Sequence, residues 1–374
     1  YKDYITLNSS HVEKPYAPYY TEEEIAAKTD GTDWVGAVTR TGEQQSHNVS
    51  LRGGTEKTNY MASVNYMYQN GIVKNNDMNR ITGLFNLDQT ISSIFKTGFS
   101  LNVSHNKYDN VELGNGEDEL SGIIASAAGF DPCLPIYDEN GNYTINPYIS
   151  FVPNPVSLLN IKDKTVKDRI LASAYLQAEP IKGLILKVNV GVDRRNQTRK
   201  NYIPKTTLVG QNVNGEANIY QNESTDYLMD LTANYNKTLG ANNINALLGY
   251  SYQEFNNEGF NAGNEGFLTD EFLYYNLGAG QYSKPWVGSN GAKRALGSYF
   301  GRINYSLLDR YLCTLTLRTD GASNFEENHR WGWFPSVALG WRFSEESFFK
   351  PLSNIISNGK LRISYGTTGN SNIG

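Results

Sequence analysis

The segment from Asp309 to Phe349 contains two stretches in which apolar and polar side chains alternate. Successive side chains of a β-strand point to opposite faces, so this alternation predicts two strands that each have one apolar face. The residues on these apolar faces are Tyr311, Cys313, Leu315 and Leu317 in the first strand and Val337, Leu339, Trp341 and Phe343 in the second. The polar segment 320–330 separates the strands and predicts a loop between two neighbours. Such faces fit either a water-soluble sandwich or a membrane barrel, and this pair of strands does not distinguish between them.

The same alternation recurs along most of the chain. It predicts about twelve strands of about ten residues each, a length that suits a tilted membrane crossing. Short turns and long polar links follow each other between these strands. The long links are predicted between Lys107 and Asp168, over Arg194–Thr225 and over Glu254–Arg294. Short turns on one side and long loops on the other are typical of a transmembrane barrel.

The chemistry of the two faces also favours a membrane barrel. The face opposite the apolar one carries Asn, Ser, Thr, Gly and Arg, which suit a wet lumen better than a second core. Aromatic residues lie near the ends of several predicted strands, for example Tyr305, Tyr311 and Trp341. Their amphipathic rings suit the interface between lipid and water, although soluble β-proteins also place Tyr at strand ends.

The two strands and their loop resemble the signature of the SusC/RagA-type TonB-dependent outer-membrane transporters. The matching residues, for which the resemblance implies a structural role, are Arg318, Asp320, Gly321, Arg330, Trp331, Phe334, Pro335, Gly340 and Trp341. Ala322 departs from the pattern, since the family often has Ser there. Three further pieces match in the expected order: Thr32-Asp33-Trp34, the segment 47–54, and the segment 360–370.

This resemblance implies an all-β fold, a transmembrane antiparallel β-barrel that is part of a plugged barrel of about 22 strands. The implied function is TonB-dependent import of glycans or oligosaccharides across the outer membrane of a Gram-negative bacterium. A SusD-like surface lipoprotein, the TonB complex and outer-membrane lipid are the implied partners, and a dimer of transporter–lipoprotein pairs stays open. The alternatives are an oligopeptide importer of the same family and a siderophore-type TonB-dependent receptor.

The domain organisation follows from where the alternation begins. Residues 1–46 do not alternate and are predicted to form an extracellular loop, with one short helix after the capping box Thr21–Glu24. Residues 47–374 are predicted to form a partial barrel, with the plug and the remaining strands outside this stretch. A start at Tyr1 without Met, and a stop at Gly374 inside a family motif, are expected for a piece of a longer protein.

Several functional classes find little support in the residues. The chain has no apolar run long enough for a spanning helix, and its net charge of -5 disfavours a nucleic-acid surface. The four histidines lack the spacing of a metal site, and no nucleophile motif or phosphate loop is present, so we expect no enzyme activity and no cofactor. The acidic run Glu117–Glu119 is interpreted as a solvated charge run, with an extracellular cation site as the alternative. Cys133 and Cys313 are predicted to be separate packed thiols.

Ligand binding is better supported than catalysis. Sugar sites combine aromatic platforms with amide and charged side chains, and the predicted long loops contain that mixture. The candidates for substrate binding are Tyr202, Tyr282 and Trp286. Packing of loop against loop is the alternative role for each ring. Asp193, Asp230 and Arg302 are predicted to face the lumen and to contact the plug.

Overall fold

The computed structural model describes residues 20–27, 31–111, 122–147, 149–352 and 355–371. In this part of the chain, twelve strands form one antiparallel sheet in chain order, each hydrogen-bonded to the next. The strands are β1 (Glu43–Gly54), β2 (Thr58–Asn70), β3 (Asp77–Thr90), β4 (Phe95–Asn110), β5 (Lys162–Ile181), β6 (Leu184–Ile203), β7 (Glu216–Leu239), β8 (Asn242–Glu265), β9 (Trp286–Leu307), β10 (Tyr311–Ala322), β11 (Trp331–Trp341) and β12 (Leu361–Gly366). The predictions of about twelve strands and of an antiparallel sheet are therefore confirmed.

Helical segments are short and lie mostly between the strands. The α-helices are α1 (Glu22–Ala27), α2 (Trp34–Val38), α3 (Ile123–Gly129), α4 (Pro155–Leu158) and α5 (Leu208–Val213). The 3₁₀ turns are Leu273–Tyr275, Leu277–Ala279, Glu327–His329, Phe343–Glu345 and Ser347–Leu352. In the described residues, none of the helices has both the length and the apolar character that crossing a bilayer requires.

The register of β9, β10 and β11 explains the alternation that the sequence shows. Cys313 of β10 lies between Tyr305 of β9 and Leu339 of β11, so apolar residues of three strands share one face. Leu248, Leu315 and Leu339 on this face are exposed. Because every described strand belongs to the same sheet, no second sheet covers that face in the described part of the chain. The sandwich alternative is excluded there.

The strands are longer than the predicted ten residues. β7 and β8 have 24 residues each, and β5 and β6 have 20. On β6 the apolar alternation covers only Leu186–Val192 and is followed on the same face by Arg194. A membrane crossing needs about 9–11 residues. The half of each of these strands that is nearer the long links therefore continues beyond the hydrocarbon layer. The predicted loops 194–225 and 254–294 are longer than the links in the structure. The prediction ended each strand where apolar alternation ends, whereas the hydrogen bonds between strands continue beyond that point.

Two small apolar clusters lie at the long-loop end. The first joins α2, α3 and α4 through buried Trp34, Ile123, Phe130 and Leu158. Of these, Ile123, Phe130 and Leu158 lie in the segment predicted to be a long polar link, and Trp34 lies in the N-terminal segment. The indole Nε1 of Trp34 donates to the Asp131 carbonyl at 3.0 Å. The sequence pattern missed these helices because each has seven residues or fewer.

The second cluster consists of Tyr202, Ala217, Phe267 and Tyr274. It fastens the link between β8 and β9 onto the ends of β6 and β7. The link therefore has a fixed core of its own rather than being an extended polar loop.

The N-terminal predictions are met in part. Helix α1 begins directly after Thr21, as the capping box indicates, whereas the Glu24 side chain and residues 1–19 lie outside the described residues. Strand β1 begins at Glu43, so residues 43–46 belong to the strand rather than to the preceding loop. The run Glu117–Glu119 also lies outside the described residues. Neither Cys133 nor Cys313 forms a disulfide with another described residue, in agreement with the prediction of separate thiols.

Candidate functional site

The inner face of the sheet, opposite the apolar one, carries a ladder of alternating charges across β5, β6 and β7. The Arg169 guanidinium donates two hydrogen bonds of 2.8 Å to the Asp193 carboxylate. Arg195 lies 3.7 Å from Asp193 and also donates to Asp226. The predicted inward orientation of Asp193 agrees with this pairing. Because each carboxylate has a guanidinium partner, the ladder presents alternating charge rather than one dominant sign.

Below this ladder, towards the short-turn end, the inner face carries a row of hydrogen-bonded amide side chains. Thr314 donates to Asn304 at 2.9 Å, Asn304 to Asn245 at 3.2 Å, and Asn245 to Asn234 at 2.9 Å. These residues lie at about the same level along four neighbouring strands, β10, β9, β8 and β7. The chain of side chains satisfies its own donors and acceptors, which keeps a fully polar wall ordered.

The residues of the family signature make contacts within the sheet. The Arg318 Nε donates to Asp320 at 2.7 Å on the inner face, and its Nη2 donates to Ser298 at 3.0 Å. On the outer face, the Trp331 ring stacks on Tyr299 with centroids 5.9 Å apart. At the short-turn end, the Trp341 indole donates to Glu346 at 3.1 Å.

Other signature residues shape the loop and its strands. The Arg330 Nε donates to the Phe325 carbonyl at 3.2 Å. The Pro335 carbonyl accepts from the Thr367 amide at 3.1 Å, which extends the contact with β12 by one residue. Phe334 packs beside Gly332, and Gly340 lies against Leu312. These placements agree with structural roles, which stay a prediction.

The structure separates the three aromatic candidates for substrate binding. Tyr202 has no exposed surface, its hydroxyl donates to Asp270 at 2.7 Å, and its ring packs edge-on against Phe267. Burial and then this hydrogen bond raise the pKa of Tyr202 above its ordinary value. A ring without exposed surface has no face for a ligand, so we reassign Tyr202 to packing. Tyr282 is the opposite case, 99% exposed on the link between β8 and β9.

Trp286 lies at the start of β9 rather than in a loop. It is half-buried and pairs in register with Gly263 of β8, and its ring occupies the space where a Cβ of Gly263 would lie. Asn218 of β7 lies beside the same glycine, is 6% exposed, and its Oδ1 has no hydrogen-bond partner. By alternation all three residues lie on the inner face, at the long-loop end. The sequence identified Trp286, but not Gly263 and Asn218, because only the strand register brings them together.

A comparison with protein-family models gives no match. The chain is 36% identical over 362 residues to the TonB-dependent receptor P3 of Formosa agariphila, which covers 96% of this chain and 36% of that protein. It is 31% identical over 379 residues to the TonB-dependent receptor SusC of Bacteroides thetaiotaomicron, with 92% of this chain and 36% of that protein covered. The chain belongs to the SusC/RagA-type TonB-dependent receptors. It spans about a third of the length of these curated relatives, 36% of each.

Solved structures agree with this membership of the SusC/RagA-type receptors. The RagAB peptide transporter matches with a TM-score of 0.78 and 25% identity, covering 92% of this chain and 39% of that chain. The ferric citrate transporter FecA matches with a TM-score of 0.52 and 9% identity over 82% of this chain and 40% of that chain, a likeness of fold alone. The sheet is therefore part of an outer-membrane β-barrel.

Membership of the SusC/RagA-type receptors assigns an environment to each face. The apolar face contacts lipid and the polar face lines the barrel interior. Trp286 and the two apolar clusters lie at the long-loop end of the sheet, the end that is typically extracellular in such barrels. Tyr250, Tyr299 and Trp331 stack near the outer interface, and Tyr311 and Trp341 share Glu346 near the periplasmic one.

Proposed function

We propose that the protein imports glycans across the outer membrane with energy from TonB, together with a SusD-like lipoprotein on its extracellular side. The observation that carries the proposal is Trp286, a half-buried indole at the extracellular mouth beside an amide oxygen without a partner. A sugar presents an apolar face that stacks on an aromatic ring and hydroxyls that bond to amides. Trp286 and Asn218 together offer both types of contact.

The remainder of the transport cycle is inferred from relatives. Because the chain spans 36% of the length of its curated relatives, the plug and the segment that contacts TonB are assigned to the full-length protein. Asp193, Asp230 and Arg302 are proposed plug contacts, and Tyr282 is a proposed contact for ligand or lipoprotein because its ring is exposed. A dimer of transporter–lipoprotein pairs is proposed too, and the mass of the purified complex tests it.

Peptide import is the second candidate. The likeness to the RagAB peptide transporter favours it, and so does the ladder of Arg169, Asp193, Arg195 and Asp226, which would suit a ligand that carries both charges. The fully paired state of this ladder favours the glycan, because a peptide terminus would have to displace an existing ion pair. A siderophore receptor has weaker support, since the match to FecA concerns the fold alone.

The test is binding by the full-length protein, purified in detergent with its lipoprotein, to arrays of oligosaccharides and oligopeptides. We expect saturable binding of an oligosaccharide that weakens about tenfold or more in Trp286→Ala, as loss of an aromatic stacking contact implies. Val287→Ala is the matched control, because Val287 is the next residue of β9 and lies on the opposite face. Binding of peptides alone would replace the glycan proposal by peptide import.

A further inference from the structure

A cleft of about 660 Å³ lies at the long-loop end of the sheet, between two of the links that join the strands. One wall comes from the link between β4 and β5, and the other from the link between β6 and β7. The lining residues that decide its chemistry include Asp138, Asn142, Thr144, Lys205 and Gln211. Small-molecule sites commonly measure about 300–1,000 Å³ and favour junctions between separately packed units.

The first wall is a rigid hairpin. Tyr137 and Tyr143 pair as a β-bridge, with ring centroids 5.1 Å apart. The Asp138 carboxylate accepts from the backbone amides of Asn140 and Asn142 at 2.9 and 2.8 Å. Gly141, at φ +82°, supplies the left-handed residue that the turn needs. The hairpin therefore holds its shape without a ligand.

Asn154 fastens this hairpin to helix α4. Its Oδ1 caps the helix by accepting from the Val156 amide at 3.1 Å, and its Nδ2 donates to the Ile136 and Thr144 carbonyls at 3.0 and 3.2 Å. A single buried amide thus spans hairpin and helix. The back of the cleft is consequently part of the first apolar cluster.

The second wall is built around helix α5. Thr207 caps this helix by accepting from the Gly210 amide at 3.0 Å. The Lys205 ammonium donates to the Leu268 carbonyl at 2.8 Å, which ties this wall to the second apolar cluster. The two walls therefore belong to different packed units.

One side chain joins the two walls. The Asn160 Nδ2 donates to the Tyr143 hydroxyl at 2.8 Å and to Thr206 Oγ1 at 3.4 Å. The second of these distances is long for a hydrogen bond. A ligand that bonds to both walls would therefore strengthen a weak junction.

The polar and apolar groups that line the cleft indicate which kind of ligand it would bind. The two charged lining residues have opposite signs, and each already makes hydrogen bonds, Asp138 with the turn amides and Lys205 with the Leu268 carbonyl. Thr144 Oγ1 is buried without a partner, and the exposed side chains of Asn142 and Gln211 add neutral amide groups to the lining. The apolar lining residues include Ile145, Pro153 and Leu208. Neutral donors and acceptors beside apolar surface suit an uncharged ligand that has both hydroxyls and apolar faces.

We propose that this cleft is a second, extracellular binding site for a neutral polyhydroxylated ligand, the end of a glycan chain. Binding itself follows from the cleft and does not require transport. Its role as a site that captures cargo before import rests on the function proposed above. The cleft would hold one end of a chain while the Trp286 region engages another part.

The test uses the full-length protein in detergent, carrying Trp286→Ala so that the proposed transport site does not contribute, and calorimetry with maltohexaose, cellohexaose, xylohexaose and mannohexaose as probes. Gln211→Trp places an indole in the cleft, and Asn212→Trp is the matched control, an exposed neighbour on the same helix that does not line it. We expect at least one hexasaccharide to bind, at least tenfold weaker binding in Gln211→Trp, and unchanged binding in Asn212→Trp. Thr144→Val, which removes the unpaired hydroxyl at nearly constant volume, is expected to weaken binding as well.

Three outcomes would overturn the proposal: no binding of any hexasaccharide, equal binding by both tryptophan variants, or preference for the blocked peptide acetyl-(Gly-Ser)₃-amide. Trp286→Ala separates this proposal from the transport proposal, because it lies outside the cleft and is expected to keep cleft binding. If the cleft binds a hexasaccharide but the protein shows no TonB-dependent uptake, the transport proposal is contradicted and the cleft site is not. If uptake is normal in Gln211→Trp, the capture role of the cleft is contradicted and transport is not.

Discussion

Trp331 lies against the backbone of Gly321, its in-register partner, so closely that a Cβ on Gly321 would be 2.7 Å from the indole Cε2. Both residues belong to the family signature. The pair explains why a glycine and a tryptophan occur together there: the glycine leaves the space that the indole fills, and the indole covers a strand position that has no side chain of its own. Trp331 then extends the stack of Tyr250 and Tyr299 at the outer interface.

Gly321→Ala is expected to displace the Trp331 ring and to lower the free energy of unfolding by about 1–3 kcal/mol, as overpacking does. The matched control is Gly297→Ala. Gly297 is the neighbour of Gly321 on β9, but a Cβ there would contact the same indole at an unstrained 4.0 Å. Urea unfolding in detergent, followed by tryptophan fluorescence, measures both variants. Equal stability of the two would contradict this account of the signature.

The ion pair of Asp163 and Arg199 is expected to contribute more to the free energy of unfolding than the nearby, exposed ion pair of Lys164 and Asp109. Asp163 is 4% exposed, and Arg199 donates to both of its carboxylate oxygens. Arg199→Met leaves a buried carboxylate without that partner and is expected to destabilise by about 3–5 kcal/mol. Lys164→Met breaks the exposed 3.2 Å pair with Asp109 between β5 and β4, and is expected to change stability by at most about 1 kcal/mol.

A second substitution checks the reason for that loss. Asp163→Asn in the Arg199→Met background removes the unpaired charge and is expected to restore part of the stability. Failure of this double variant to exceed Arg199→Met would show that packing of the guanidinium, rather than charge, is responsible.

The hydroxyl of Tyr202 is expected to stabilise the packing of the link between β8 and β9 against β6, and this contribution is expected to depend on pH. Its pKa is raised in the folded protein, so the contribution to stability is complete below the ordinary pKa of about 10 and is lost as pH rises towards the folded value. Tyr202→Phe removes the bond to Asp270, and we expect faster cleavage of the link by an alkali-tolerant protease at pH 8. The difference from wild type is expected to shrink above pH 10.

The control for this prediction is Tyr220→Phe. Tyr220 lies on the adjacent strand β7 and is exposed. Its cleavage profile is expected to match that of the wild type at every pH. If Tyr202→Phe behaves in the same way, the hydroxyl does not fasten the link.

Glu254 lies just above the apolar part of β8 and is expected to titrate far below a typical glutamate. The Lys293 ammonium, 2.8 Å away, and then Asn256 lower the pKa of Glu254 to about 2. The stability from this pairing is present above the ordinary pKa of about 4.3 and is lost as pH falls through about 2. Lys293→Met is expected to raise the pKa of Glu254 towards its ordinary value, which side-chain NMR titration measures.

Lys284→Met is the comparison variant for Glu254. It breaks the 2.7 Å pair with Glu265 at the end of the same strand. The pKa of Glu254 is expected to stay unchanged in this variant. An unchanged pKa in Lys293→Met as well would contradict the assigned cause.

The candidate site was predictable only in part. Trp286 could be predicted as a candidate because an aromatic residue among polar neighbours can be recognised directly in the amino-acid sequence. Tyr202 looked equivalent, yet its hydroxyl bonds to Asp270, 68 residues later in the chain, and its ring is buried by Phe267. Glycines opposite aromatic residues, such as Gly263 opposite Trp286, are a signal that only a known strand register reveals.

Side-chain alternation is a local property of extended backbone, so about twelve strands and the two faces of each one could be predicted from the sequence. Tyr305, Cys313 and Leu339 were each assigned to the apolar face of their own strand, and the signature around Arg318 and Trp331 indicated the family. The three-dimensional contacts were needed to learn how far the strands continue beyond the membrane, where Trp34 and Tyr202 are buried, and which links form the cleft. These features depend on contacts between residues far apart in the chain, such as Asn160 with Thr206, which no local pattern encodes.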